Sequence, residues 1–515
     1  MRLSSKHQNQ QVVELYDFSG GLNTSVVEEQ IADNQLAVCV NFDIQTTSGL
    51  LKTVSGTSRI MRIGDVGYRL ISAAYDALNK HIVLFADDGT VLSASMEDLS
   101  TWQTIGTLTG RRVPITVVWE DGLITASGGK LQYIKGSDME TIETSPDVCK
   151  GAYTRSGRII TFDDDNIRYS GVGDETNWTE DTNDESSSVW VEAGYKVGGK
   201  LLGMVNMSSD ILMIKDNGRL LRLSGDYPEW QITEVARNVD CNNSNSFCNV
   251  VNDVYILGGS TIQKVVTTQE YGDMRAANIA SAVEKNLISL ARVGCKLRYL
   301  PALNQIWAIN GTPNVLMFDL NVNAFYGRKF NAPVVDAMCI QTDTYIVKEN
   351  GLDIIDPMSF VDEGNYLEYN LKFKTRLSHY DFLIKRLTWV VTGFGKSYHD
   401  VKLSLGNIIN IPCPVGHIRD NEELVYENFQ EVYHNNYKLS RHTRRSPRVI
   451  YANRGPHVYG NRNRVYANPD YVLDIEAFLV SDQKLRYRAK DIFFRVTGRA
   501  CQFVINKIKY DVVEV

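Results

Sequence analysis

No apolar run in this 515-residue chain approaches the length of a membrane-spanning helix. The opening MRLSSKHQNQQVVELYDFSGG holds neither an apolar signal core nor a cleavage site, so the sequence predicts no membrane span and no export by a signal peptide. The eight cysteines (Cys39, Cys149, Cys241, Cys248, Cys295, Cys339, Cys413 and Cys501) never form a CxxC pair. This scatter argues against a disulfide framework and a zinc site, and fits reduced core residues of a protein made in a cytosol. Catalytic signatures are missing as well. There is no HExxH and no GxSxG, and the eight histidines avoid one another. Thr392-Gly-Phe-Gly-Lys-Ser397 imitates the end of a phosphate-binding loop, but Val390 stands where its first glycine is needed and no helix pattern follows. A hairpin turn is the expectation there. The run Asp163-Asp164-Asp165 lacks the alternating spacing and glycine of a calcium loop and reads as a solvated turn. The sequence therefore predicts no enzyme, no cofactor and no metal.

What the chain does contain is a rhythm. KLLGMVNMSSDILMIKDNGRLLRLSGDYPEW, Lys200 to Trp230, reads strand, turn, strand, turn, strand, with Asn217-Gly218 suited to a tight hairpin. Similar meanders start at Ile71, Thr116, Ala152, Phe247, Leu297 and Ala337. About seven units at a spacing of about 40 to 50 residues is the period of four-stranded propeller blades. WD, kelch and Asp-box signatures are absent, so the assignment rests on pattern, with a run of unrelated hairpins as its alternative. The middle runs His81–Phe85, Leu123–Ala126, Arg158–Phe162, Ile211–Ile214, Val254–Leu257, Ile306–Ile309 and Tyr345–Val347 are expected to be well buried. Either Leu50–Val54 or the segment after Asp356 is expected to complete the last blade. The turns ending in Trp102, Trp178 and Trp230 are expected to fill gaps between blades.

Residues 1–60 do not share this rhythm and are expected to form a lead segment, with a short helix from Asp33 to about Val40. After about Pro357 the chain alternates strands with charged turns, which argues for a C-terminal β-sandwich. The expected fold class is all-β: a propeller of about seven blades over residues 61–360, then a sandwich over 361–515.

The lead phrase Asp17-Phe18-x-Gly20-Gly21-Leu22-Asn23, the Asp33-Asn34-Gln35 start, Asn41-Phe42-Asp43 and the Gly-Leu-Leu-Lys strand resemble the start of many tailed-bacteriophage tail structural proteins. Tyr169 to Asp174, ending in Asn177-Trp178, resembles a second phrase of theirs. The C-terminal strands, with Lys490, Phe493 to Val496, Gly498 and Asn506 to Val512, are similar to those of the podovirus tail hub or nozzle family. That resemblance implies a propeller with a β-sandwich in a six-fold homo-oligomeric ring, located in the virion tail below portal and adaptor proteins. Such a ring would retain packaged double-stranded DNA and conduct it during ejection. Asp17, Phe18, Gly20, Gly21, Asp33, Asn41 and Phe42 are then docking candidates for neighbours or other tail proteins. The alternative is a carbohydrate-binding or glycosidase-type propeller, which needs convergent carboxylates or arginines at its mouth.

One stretch departs from the chain's net charge of −7. From Val432 to Pro469 there is no acidic residue. Lys438, Arg441, Arg444, Arg445, Arg448, Arg454, Arg462 and Arg464 are interleaved there with Tyr433, Tyr437, Tyr451, Tyr459 and Tyr466. Guanidinium groups with aromatic rings suit a phosphate backbone. They equally suit an arm laid on an acidic neighbouring subunit, and a solvated loop is the third reading.

Overall fold

The structure, a computed structural model, describes residues 10–515 apart from 46–48, 65–66, 182, 195, 208–209, 226, 228, 268–273, 291–293, 358, 376–381, 394–400, 406–408, 413–424, 428–429, 433–476, 490–491, 500 and 515. The chain divides into two compact units, one of 1–58, 318–331 and 356–515, the other of 59–317 and 332–355.

Seven four-stranded antiparallel sheets follow one another along the chain. Their first strands are Leu70–Asp76, Ile115–Trp119, Ala152–Arg155, Leu201–Met207, Phe247–Val250, Lys296–Leu300 and Val334–Ile340. The second strands contain the seven expected middle runs, and nearly every residue in them is buried. A sheet covered on both faces needs apolar side chains on both, so the strand beside its centre reads as a continuous apolar run rather than an alternating one. Three of the fourth strands behave otherwise: Gln103–Thr107, Asp138–Thr141 and Val189–Glu192 are mostly exposed or half-exposed, as edge strands of a radial array should be, whereas Ala324–Lys329 of the sixth sheet is mostly buried.

Apolar clusters join successive sheets. Val83 and Phe85 of the first pack with Leu123 and Ile134 of the second, Ile160 and Phe162 of the third with Met204 and Ile211 of the fourth, and Leu212 and Ile214 with Val254 and Ile256 of the fifth. The ring closes because Leu70, Ile82 and Leu84 of the first sheet share a core with Tyr345, Val347 and Leu352 of the seventh. The seven-bladed β-propeller is thus what the repeat pattern predicted.

The closing strand differs from expectation. The seventh sheet is completed by Gly56–Arg62, which lies just before the first blade, and not by Leu50–Val54 or by chain after Asp356. Leu50–Thr53 instead pairs with Phe42–Gln45 and with Phe503–Glu514. Arg59 of the closing strand forms an ion pair with Asp353, whose other oxygen meets Lys348 Nζ at 2.6 Å; Lys348 and Asp353 are buried.

Trp102, Trp178 and Trp230 fill gaps between blades, each packed against a core shared by two sheets. Two of them end the same turn. Asp98 accepts from the Ser100 amide and hydroxyl while Trp102 Nε1 donates to Leu99 O at 2.9 Å; Asp174 and Thr176 repeat this, with Trp178 Nε1 donating to Glu175 O at 2.7 Å.

The first unit holds a sandwich of two six-stranded sheets. One contains Phe42–Gln45, Leu50–Thr53, Phe503–Glu514, Phe382–Gly393 and Ala477–Ala489, with Gln10–Leu15 also paired to Phe503–Glu514. The other contains Gly21–Leu22, Gln35–Val40, Glu368–Thr375, Ile492–Arg499, Lys402–Leu405 and Ile409–Pro412. Aromatic rings join their inner faces, with Phe42 against Tyr369 at 5.7 Å and Phe494 against Tyr510 at 5.5 Å.

Residues 1–60 are therefore not a separate segment: their described strands up to Thr53 belong to both sheets of the sandwich. The helix expected from Asp33 is absent. Gln35–Val40 is a strand, parallel to Gly21–Leu22 and antiparallel to Glu368–Thr375, and the local helix is a single 3₁₀ turn at Glu28–Gln30. Leu-Ala-Val-Cys-Val carries β-branched residues that suit either period, and pairing on both edges settles it as a strand. The described α-helix lies elsewhere, at Glu284–Leu290.

Candidate functional site

The seven docking candidates cluster, but mostly inside the first unit. Phe18 and Phe42 are buried, Phe18 edge-on to Phe373 at 5.2 Å and Phe42 edge-on to Phe503 at 6.1 Å. Asn41, also buried, sits at φ 63°, a left-handed conformation that Asn tolerates better than most residues. Its amide donates to Gly327 O, its Nδ2 to Glu368 O at 2.8 Å, and its Oδ1 accepts from the Lys329 amide at 2.8 Å; its carbonyl accepts from Val54. One side chain thereby satisfies backbone groups from two segments distant in sequence, at a site where leaving them unpaired would cost about 1–3 kcal/mol each.

Gly21 has φ +61°, and an added Cβ there would lie 2.7 Å from Ala324 Cβ and 2.8 Å from Phe325 O. At Gly20 it would lie 2.7 Å from Asn34 Oδ1. Asp17 caps the Ser19 amide at 2.9 Å, and Asp33 is exposed. The Asp-Phe-x-Gly-Gly-Leu-Asn phrase is thus a tight backbone passage in which the Phe18 carbonyl accepts from Tyr326 Oη at 3.1 Å.

All eight basic candidates from Lys438 to Arg464 lie outside the described residues, as do Phe394 to Ser397 of the loop-like phrase. Thr392 and Gly393 end the strand Phe382–Gly393. Asp163 caps the Asp165 and Asn166 amides, and Asp164 pairs with Lys150 and with Lys200 at 2.9 Å, so lysines occupy the carboxylate of that run. Among the described residues no group of His, Cys, Asp and Glu has the arrangement of a metal site. Burial pushes the thiols of Cys39, Cys241, Cys248 and Cys295 up to about 12, which keeps them protonated and unreactive.

Sequence reasoning missed a buried charge network in the propeller. Asp336 of blade seven accepts from Ser72 Oγ of blade one at 2.6 Å, and from Lys296 Nζ at 3.1 Å and Arg298 Nε at 2.7 Å, both of blade six. Lys296 also donates to Ile71 O of blade one at 2.5 Å, and Arg298 to Asn245 Oδ1 at 3.0 Å. Burial pushes the Lys296 ammonium down to about 8 against the pull of Asp336. Burial also pushes the Asp336 carboxyl up, but the charges of Arg298 and Lys296 outweigh it and hold it well below the usual carboxylate range. No spacing in the sequence signals this, because the partners are separated by 40 and 264 positions.

Two of the clefts formed by described residues lie on the propeller. One, of about 430 Å³, is lined by Arg62, Tyr68, Arg69, Glu349 and Asn350. The other, of about 180 Å³, is lined by Arg155, Arg158, Tyr169, Glu185, Tyr227 and Trp230. In the second, Trp230 stacks on Tyr169 at 4.6 Å, and Arg158 is committed to the backbone carbonyls of Ser170, Ser187 and Glu185. Glycoside hydrolysis uses two carboxylates facing one bond. Each cleft has one among its described lining residues.

No known family model matches the chain, and no curated protein is similar to it in sequence. Among solved structures it is similar to YCF48 from Cyanidioschyzon merolae (10% identity, 58% of this chain and 98% of that one, TM-score 0.37). It is similar too to the Pan2 WD40 domain of Neurospora crassa (12%, 59% and 94%, 0.38) and to BamB from Moraxella catarrhalis (8%, 67% and 98%, 0.37). Likeness at this level carries no argument; the propeller stands on its seven sheets and the cores between them.

Proposed function

We propose that this protein is a structural component of a bacteriophage tail, a ring-forming hub or nozzle subunit that extends the portal–adaptor channel, holds packaged double-stranded DNA and conducts it during ejection. The observation that carries the reading is where the tail-like phrases fall. Phe18, Gly20, Gly21, Asn41 and Phe42 occupy positions that suit their residue types: buried rings, tight glycine passages, a left-handed Asn. The phrases also include the exposed Asp17 and Asp33, but their ring, glycine and Asn positions fall where a shared architecture would constrain the residue type. The arrangement of a seven-bladed propeller with a β-sandwich agrees with the family that the sequence resembles.

A cyclic ring requires that one surface of each subunit meet a different surface of the next. Mass spectrometry of purified virions, together with negative-stain images of particles lacking this protein, tests the reading. The protein should be present at a stoichiometry of about six per tail, as the resemblance implies for a cyclic assembly, and its loss should shorten the tail. Absence from the virion rejects the proposal.

A further inference from the structure

The turn ending in Trp230 differs from those ending in Trp102 and Trp178 at the position three residues before the tryptophan. Blade one has Leu99 there, packed on the core between blades seven and one, and blade three has Glu175. Blade four has Tyr227, whose ring stands edge-on to Trp230 at 5.3 Å and is 39% exposed. Trp230 in turn stacks on the buried Tyr169 at 4.6 Å, so the exposed ring has a rigid backing. These rings line the 180 Å³ cleft between blades three and four together with Val172, which is also exposed. A concave, preformed aromatic and apolar surface with a few polar groups is the ordinary form of a small-ligand site.

The polar groups decide what such a site can hold. Both guanidiniums of the cleft are engaged by backbone: Arg158 donates to the carbonyls of Ser170, Ser187 and Glu185, and Arg155 to that of Gly225 at 2.7 Å. These bonds fix the two loops that carry Val172, Glu185 and Tyr227. The charge of Arg155 and Arg158 opposes a cationic ligand, and Glu185 with the other acids of the connection 170–188 opposes an anionic one. A neutral ligand remains. It must be apolar on one face, to cover Tyr227 and Val172, and carry hydroxyls that donate to the Glu185 carboxylate. A pyranose ring has that chemistry, with C–H groups on its faces and hydroxyls at its rim. One carboxylate among the described lining residues serves binding but not the two-carboxylate route of hydrolysis.

We propose that the cleft between blades three and four binds one neutral hexopyranose unit of a saccharide, with Tyr227 as the stacking wall and Glu185 as the hydroxyl acceptor. Arg155 and Arg158 are positioning residues. The site does not depend on the tail reading.

Saturation-transfer difference NMR of the full-length protein with the methyl glycosides of glucose, galactose, mannose and N-acetylglucosamine tests it. Ring protons of at least one glycoside should receive saturation. Tyr227→Ala should weaken that binding about ten-fold or more, whereas Tyr227→Phe, which keeps the ring, should hold it within about three-fold. Glu185→Gln should weaken it about ten-fold, since a charge-assisted acceptor is lost. Tyr68→Ala, in the other cleft, should change nothing, and glucuronate should bind no better than the glucoside. The proposal is overturned if none of the four glycosides receives saturation, if binding survives Tyr227→Ala in a variant that melts like the parent, or if glucuronate alone binds. Should Tyr227→Ala not fold, Glu185→Gln decides, and unchanged affinity there overturns the proposal.

Discussion

Replacing Asp336 by Ala removes the shared acceptor of blades one, six and seven, and its cost can be worked from the network. Lys296 is 4% exposed and Asp336 3%, so the ammonium loses its counter-charge where water does not reach it. Breaking a buried pair from one side costs about 3–5 kcal/mol. Arg298, 25% exposed, can turn toward solvent and adds little. For a propeller of this size, that loss lowers the melting temperature by roughly 5–10 °C.

The pH dependence has a definite sign. Lys296 is pushed down to about 8 in the folded protein, below its unfolded value, so its charged form disfavours folding. Its penalty is full below the folded pKa and fades as pH rises from about 8 toward about 10.5. Without Asp336 the folded pKa falls further, so the variant should regain part of its deficit between neutral pH and about pH 9. The Asp336 carboxyl is held low in the native state, so in the parent its contribution is present above the unfolded carboxylate pKa and is lost as pH falls below it.

Differential scanning calorimetry of the full-length protein at pH 7 and pH 9 measures both effects. A double variant, Lys296→Met with Asp336→Leu, should recover most of the loss, since an apolar pair can replace a buried ion pair. An Asp336→Ala variant melting within about 1 °C of the parent, or one whose deficit is the same at both pH values, refutes the placement of Lys296 and Asp336 as a buried pair across blades.

Gly21→Ala should cost about 2–4 kcal/mol or prevent soluble expression, because the left-handed backbone and the Ala324 contact both oppose a Cβ; thermal melting of the purified variant checks it. Leu212→Asp places an unpaired charge in the core between blades four and five and should leave little soluble protein, with normal yield and melting counting against burial. Truncation after Gln502 deletes the strand Phe503–Glu514, which pairs with Gln10–Leu15, Leu50–Thr53 and Phe382–Gly393; the expected outcome is loss of the sandwich, read by limited proteolysis. On the tail reading, Arg444→Glu with Arg445→Glu and Arg448→Glu should either leave assembled particles that lose their genome, if the segment holds DNA, or abolish assembly, if it is a clasp. Electron microscopy of particles separates these outcomes, and genome-filled infectious particles would reject both roles.

The propeller was legible in the chain because a blade is a local object: its strands are consecutive, its turns short, and its second strand is apolar on both faces. Val83, Ile124, Ile160, Leu212, Ile256, Trp307 and Ile346 are all essentially inaccessible, and each lies in a run that the apolar pattern identified. Asn217-Gly218 marked its hairpin for the same reason, since positive φ at glycine is a property of a few adjacent residues. Closure and the sandwich are non-local. Gly56–Arg62 reads like any short strand, and its place in the seventh sheet depends on partners roughly 300 residues away. Gln35–Val40 fits both helix and strand periods, and only the pairing with Gly21–Leu22 and Glu368–Thr375 decides between them. Asn41 looked like one polar residue of a short phrase; tertiary structure makes it the partner of Gly327, Lys329, Glu368 and Val54. The Asp336 network follows the same rule. Hydrophobic periodicity encodes what lies inside, but which buried charges meet depends on how blades one, six and seven are brought together around the ring.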